Sequence, residues 1–183
     1  MTQLKQQVIK LIGNSVTMLR DSNNSVIVPR IFLSDAPFIQ NPTNLPQWKN
    51  MNIGLVINVT TDNLAPESIK KIYTEHGISY LEMPIQDTNY VPPDKYFQQI
   101  LDAVNQFQSK KTGKNIIVHC SAGINRSAMV AAVLLWYTTP GRQNFWPTPQ
   151  YLIKYMRSIQ FQDRSLPLLM NKTFEDFLIK KLG

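Results

Sequence analysis

Residues 115–127 read NIIVHCSAGINRS. The first five form an apolar, β-branched run, which predicts a buried strand over 115–119. From Arg126 the chain continues RSAMVAAVLLWY, and a helix is predicted over 126–137. Between strand and helix lies a tight loop running from Cys120 to Arg126, with five residues between the two. A loop that curls into a helix start turns several backbone N–H groups toward one point, where the positive end of the helix dipole adds to their field. Such a nest accepts a tetrahedral anion. Gly123 lets the backbone turn tightly and approach the ligand closely. The Arg126 guanidinium can hold two oxygens of the anion at once.

Outward from this loop the chain alternates strand and helix. Residues 53–59 (IGLVINV) read as a buried parallel strand. A helix opened by Pro66 runs to Gly77 with Ile69, Ile72 and Tyr73 on one face, and 78–83 reads as a further strand. Residues 94–108 are an amphipathic helix on Phe97, Ile100, Leu101, Val104 and Phe107, with Asp94 as its N-cap. Two more helices are predicted over 148–158 and 172–180. Upstream, 26–33 has strand character, and Pro29 suggests an edge position or a break. Residues 1–20 read as a separate helix on Leu4, Val8, Leu11 and Ile12. The predicted fold is α/β: a central, mostly parallel twisted sheet flanked by helices, with an N-terminal helix. Residues 1–25 are expected to form a helical extension and 26–183 one domain. In such folds the reactive site lies where loops leave the carboxyl ends of the strands.

The bulk numbers bound the function. The 183 residues suit one ordinary domain, and the 43% hydrophobic content is that of a globular chain. No apolar run reaches membrane-spanning length, and MTQLKQQVIK lacks a secretory leader's apolar stretch, so a soluble intracellular protein is expected. One cysteine excludes an internal disulfide, and with two histidines no metal cluster is expected; no cofactor is called for. The net charge of +7 favours anionic partners. His76 reads as a helix-end residue; Trp48, Trp136, Tyr137, Phe145 and Trp146 read as core.

A lone cysteine is ordinarily a small buried hydrophobe. Here the helix start and the neighbouring cation favour thiolate over thiol, which makes Cys120 a candidate nucleophile under the bound anion. Ser121, Ala122, Gly123, Ile124, Asn125 and Arg126 supply the anion-binding loop. His119 orients that loop by hydrogen bonding, and Ser127 can donate to the sulfur and help it leave.

HCSAGINRS resembles the HCxxGxxRS signature of the dual-specificity protein phosphatases, within the cysteine-based protein tyrosine phosphatase superfamily. The resemblance covers residues 26–180, including VPRIFLSDA, VINVT and the N-x-x-F segment at Asn171 and Phe174. Asn125 before the arginine, with the N-terminal helix, most resembles the poxvirus-type virion phosphatases of this group. The resemblance implies a phosphatase acting on phosphotyrosine and phosphoserine/threonine through a cysteinyl-phosphate. It places the general acid at Asp87, nine residues before Tyr96. It also offers Arg164 as a basic residue at the pocket rim. Implied partners are phosphorylated proteins ahead of RNA; the N-terminal helix either makes a homodimer contact or packs on its own domain. The implied setting is cytoplasmic or nuclear, or a virion for a viral chain.

Two alternatives remain. An RNA 5′-triphosphatase of the same superfamily also favours asparagine before the arginine, yet its loop reads HCTHGxNRTG and it tends to lack the acid. A phosphate-binding module without turnover generally loses the cysteine, the arginine or the acid, and all three stand here.

Overall fold

The computed structural model describes residues 16–20, 26–90, 92–110 and 113–183. Its strands are β1 (Val16–Arg20), β2 (Val26–Ser34), β3 (Ile53–Thr60), β4 (Ser79–Ile85) and β5 (Asn115–His119). They form one five-stranded sheet in the order β1-β2-β5-β3-β4. β2, β5, β3 and β4 are parallel to one another, and β1 is antiparallel to β2. The α/β architecture with a mostly parallel sheet is therefore the one observed.

Side-chain alternation explains how the sheet divides the core. Ile31, Leu33, Leu55, Ile57, Ile116 and Val118 point to one face, while Phe32, Val56 and Ile117 point to the other. The first face is covered by α4 (Asp94–Ser109), α5 (Arg126–Thr138), α6 (Pro149–Arg164) and α7 (Lys172–Leu182). The second is covered by α1 (Ala36–Ile39), α2 (Leu45–Asn50) and α3 (Glu67–Glu75). Both faces being covered, every residue of β3 and β5 is buried, which is why those stretches are continuous apolar runs. In α5 every residue from Arg126 to Trp136 is buried, so that helix is fixed on all sides at the centre of its layer. Trp48 and Trp146 are fully buried and Trp136 nearly so. The indole N–H of Trp48 finds the Phe38 carbonyl at 3.3 Å, and the Tyr73 hydroxyl donates to the Ile39 carbonyl.

Four expectations need correction. Residues 16–20, read as the end of a helix, form β1: the β-branched Val16 and Thr17 suit a strand, and pairing along β2 satisfies one side of its backbone as an added edge strand. The rest of the predicted helix, with the dimer contact assigned to it, lies outside the described residues. Of the two positions expected for Pro29, the edge is excluded, since β2 lies between β1 and β5, and the break is observed. It falls where the β1 register jumps from Ile31 to Val26 and before the β5 pairing begins at Ile31, so its missing N–H interrupts no ladder bond. Tyr137 is 53% exposed: it is the penultimate residue of α5 and lines an open surface cavity with Phe97, Leu101 and Lys181. Asp94 is the first residue of α4 rather than its cap; Pro93 is the cap, and the Asp94 carboxylate pairs with Lys181 at 2.8 Å. Among the described residues no helix is long and apolar enough to cross a membrane.

Candidate active site

Parallel strands bring their carboxyl ends to one edge of the sheet. Ser34 of β2 and Asn58 of β3 both lie beside His119 of β5, and Thr60 of β3 lies beside Ile85 of β4. The four loops that follow, beginning at Asp35, Thr61, Gln86 and Cys120, therefore meet at one place.

The loop 120–125 is shaped from outside. Its carbonyls are taken in turn: Ser121 by the Ala36 amide at 3.1 Å, Ala122 by Arg164 Nη2 at 3.1 Å, and Gly123 by Arg164 Nη1 and Gln160 Nε2, each at 3.3 Å. The Leu169 amide takes Ile124 at 3.0 Å, and the Met129 amide takes Asn125 at 2.9 Å. In a planar trans peptide the N–H points opposite to the C=O. Carbonyls held outward thus turn the amides of 122–126 inward, and the Gly123 N–H donates to Cys120 Sγ at 3.2 Å. Gly123 has φ +68°, and a Cβ there would stand 2.6 Å from the Ser34 carbonyl oxygen, so only glycine fits.

Cys120 is 2% exposed, with its Sγ also 3.3 Å from the Ser127 hydroxyl. Arg126 is 4% exposed. Its Nη1 donates to the Ile85 carbonyl at 3.3 Å, and its Nη2 donates to Ser121 Oγ at 2.8 Å and Asp62 Oδ2 at 3.2 Å. Its Nε is buried and has no hydrogen-bond partner among the described residues. A buried guanidinium N–H is costly to leave unpaired, which suits this nitrogen to hydrogen-bonding an anion.

His119 lies beneath the loop, fully buried, with Nδ1 3.4 Å from the Cys120 carbonyl. Burial pushes its pKa down to about 4, against a smaller upward pull from the Cys120 carbonyl. The ring is therefore neutral near pH 7. The folded pKa lies below the ordinary value of 6.5, so the unfolded chain takes up the proton first as pH falls. This histidine's contribution is complete above about pH 6.5 and is lost toward pH 4, up to about 3 kcal/mol in all. Urea midpoints measured from pH 7 to pH 4.5 should fall more steeply for wild type than for His119→Gln. Parallel slopes would mean that another group carries the acid sensitivity.

Asp87 stands beside the loop through two amides. Asn125 Nδ2 donates to its Oδ2 at 3.2 Å, and Asn171 Nδ2 donates to its Oδ1 at 3.0 Å. Asn125 is itself held, its Oδ1 accepting from the Met170 amide at 2.8 Å. Asn171 caps α7 by accepting from the Thr173 and Phe174 amides, and its Nδ2 also reaches the Thr88 carbonyl at 3.0 Å. The start of α7 thereby ties the Asp87 loop to the Cys120 loop.

The family described as "Dual specificity phosphatase, catalytic domain" matches residues 36–141. The chain belongs to that family. Dual specificity protein phosphatase 7 of Homo sapiens is 31% identical over 111 residues, which cover 60% of this chain and 24% of that protein. The "Tyrosine-protein phosphatase" of Autographa californica nuclear polyhedrosis virus is 27% identical over 90 residues, covering 49% and 52% of the two chains. The chain thus spans about a quarter of the first relative and about half of the second. Among solved structures, a kinase associated phosphatase with its catalytic-site cysteine substituted by serine superposes with a TM-score of 0.66 at 16% identity, over 91% of this chain and 92% of that one. That likeness concerns the fold.

As a dual specificity phosphatase family member, this chain has its Cys120 loop and Asp87 inside the matched segment, whereas α6 and α7 lie beyond it. Those helices nonetheless shape the loop. Arg164, expected at the rim in a loop, is the last residue of α6; it is 6% exposed and faces the Ala122 and Gly123 carbonyls. Burial draws its pKa down, with the charges of Asp35 and Cys120 opposing. Sequence reading passed over Arg157 and Asp62. Arg157 donates to the Leu168 and Leu169 carbonyls at 3.1 and 2.8 Å and pairs with Glu175 at 2.9 Å, fixing the segment whose amides hold Ile124 and Asn125. Asp62 follows β3 in VTTDN, and nothing local in that run distinguishes it from a turn aspartate.

Proposed function

We propose that this chain is a protein phosphatase that hydrolyses phosphotyrosine and phosphoserine/threonine through a cysteinyl-phosphate. The observation that carries the reading is the buried Arg126 Nε, without a hydrogen-bond partner among the described residues, at the end of a Cys120 loop whose carbonyls from Ser121 to Asn125 are all taken by groups outside the anion nest. In the first step the Cys120 thiolate attacks phosphorus, the S–P bond forms, and the P–O bond to the side chain breaks. Protonated Asp87 gives its proton to the departing oxygen. The inward amides of the loop and Arg126 hold the three equatorial oxygens, where charge gathers in the transition state. In the second step water attacks phosphorus and Asp87 takes its proton. The S–P bond breaks, inorganic phosphate leaves, and the Ser127 hydroxyl steadies the returning thiolate. Asn125 and Asn171 keep Asp87 within reach of the leaving oxygen; the acid's place beside the loop favours phosphomonoester chemistry over RNA 5′-triphosphate hydrolysis.

Dual specificity, phosphoprotein partners and a catalytic domain occupying 26–183 belong to the same proposal, and the β1–β2 pairing argues for moving that boundary upstream to include residue 16. The test is phosphate release in EDTA from a phosphotyrosine peptide, a phosphothreonine peptide and 5′-triphosphorylated RNA. Release from both peptides is expected; release from RNA alone would overturn the substrate class. Asp87→Asn should lower kcat by about 10²–10⁴-fold for phosphoserine peptide and far less for an aryl phosphate with a good leaving group. Equal losses on both would remove Asp87 from the role of acid.

A further inference from the structure

Asp62 is the unexpected member of the site. Its Oδ2 accepts from Arg126 Nη2 at 3.2 Å and from Ser121 Oγ at 3.1 Å. Ser121 Oγ is in turn shared with Arg126 Nη2 at 2.8 Å, Asn63 Nδ2 at 2.9 Å and Thr60 Oγ1 at 3.1 Å. This network joins the loop after β3 to the residue next to Cys120. Hydrogen bonds from Thr61, Arg126 and Ser121, then the Arg126 charge, hold the Asp62 carboxyl below the ordinary carboxylate range, so it is an anion near pH 7.

The placement matters because of guanidinium shape. Nε and Nη2 form one edge of the planar fork, the edge that grips two oxygens of a phosphate side by side. Here Nε has no partner among the described residues, and Nη2 is already held by Asp62 and Ser121. A phosphate that satisfies Nε must share Nη2 with a carboxylate or displace it. The Asp62 side chain is 60% exposed and the Arg126 side chain 5%, so Asp62 has a route into solvent while the guanidinium does not.

We propose that Asp62 is a specificity-determining residue of this site, a resident anion that disfavours free phosphate and yields to a phosphorylated side chain whose polypeptide brings further contacts. The proposal rests on reading the Cys120 loop as the phosphate site. It assigns Asp62 no part in bond making; its effect is repulsion of a small dianion across a few ångströms. Between unit charges in largely solvated surroundings that is worth about 3- to 10-fold in affinity. Repulsion of this kind is screened by salt, whereas a structural role for the carboxylate would not be.

The experiment is calorimetric titration of inorganic phosphate into wild type, Asp62→Asn and Arg126→Ala, at low salt and again at about 1 M salt, where the screening length is about 3 Å. Asparagine keeps the shape and the acceptor oxygen and removes the charge. Asp62→Asn should bind phosphate about 3- to 10-fold more tightly at low salt, the gap closing at high salt. The KM for a phosphotyrosine peptide should fall by less. Asp62→Ala should change phosphate affinity in the same direction, since the effect is one of charge. Equal or weaker phosphate binding by Asp62→Asn, with binding still lost in Arg126→Ala, would overturn the role of Asp62 and leave the phosphate site standing. Phosphate binding unaffected by Arg126→Ala would overturn both.

Discussion

Replacing Cys120 with serine is expected to abolish turnover, by at least about 10⁴-fold, while the chain stays folded and still binds phosphate. A hydroxyl at this position is almost wholly protonated near neutral pH and is a poor nucleophile without a base beside it. Among the described residues, no group hydrogen-bonded to Sγ can serve as that base. His119 lies under the loop with its ring toward the Cys120 carbonyl, and the groups within reach of Sγ are the Gly123 N–H and the Ser127 hydroxyl. The substitution exchanges one small buried group for another, and the same two neighbours can hydrogen-bond the serine oxygen, so the loop keeps its form. Phosphate release from phosphotyrosine peptide, measured beside binding of inorganic phosphate, separates the two effects. Activity retained within tenfold of wild type would end the cysteinyl-phosphate mechanism. Loss of both activity and phosphate binding would mean that Cys120 shapes the site rather than attacks.

Arg126→Lys is expected to be nearly as damaging, lowering kcat by about 10²–10³-fold or more, even though the charge is kept. The guanidinium spans Ile85 with one nitrogen and Ser121 and Asp62 with another, leaving Nε for the ligand. One ammonium cannot occupy those positions together, and it has no planar edge to match two phosphate oxygens. Because the loss concerns oxygens whose charge grows in the transition state, it should fall on kcat more than on KM. Steady-state kinetics on an aryl phosphate settles this. A lysine variant within a few-fold of wild type would reduce Arg126 to a simple counter-ion. A large rise in KM with kcat unchanged would limit it to ground-state binding.

The two substitutions lie six residues apart in one run, and that closeness explains what could be read early. Cys120, Gly123, Arg126 and Ser127 are positioned by a strand end, a turn and a helix start, all set by local sequence. The strands β3 and β5 were legible because burial on both faces demands unbroken apolar runs. The α5 helix was legible for the same reason. Asp87 was singled out by resemblance, but the side chains that hold it could not be: Asn125 and Asn171 are separated from it by 38 and 84 residues. β1 was misread because VTMLR carries too few residues to establish a period, and its strand form depends on a partner edge supplied by β2.

What the residue order determined alone is the turn of one loop between a strand and a helix and the α/β alternation that presents it, since both follow from contacts between near neighbours. The company that loop keeps was set by the parallel sheet, which gathers four strand ends at one edge. Asp62 meets Arg126 across 64 residues only because β3 and β5 are adjacent in that sheet. Arg164 and Gln160 reach the loop's carbonyls only because α6 packs on the same face. A hydrogen bond between distant residues leaves no period and no motif in the chain. It exists when folding has already met the entropy cost of bringing the two segments together, so its partners become visible only in three dimensions.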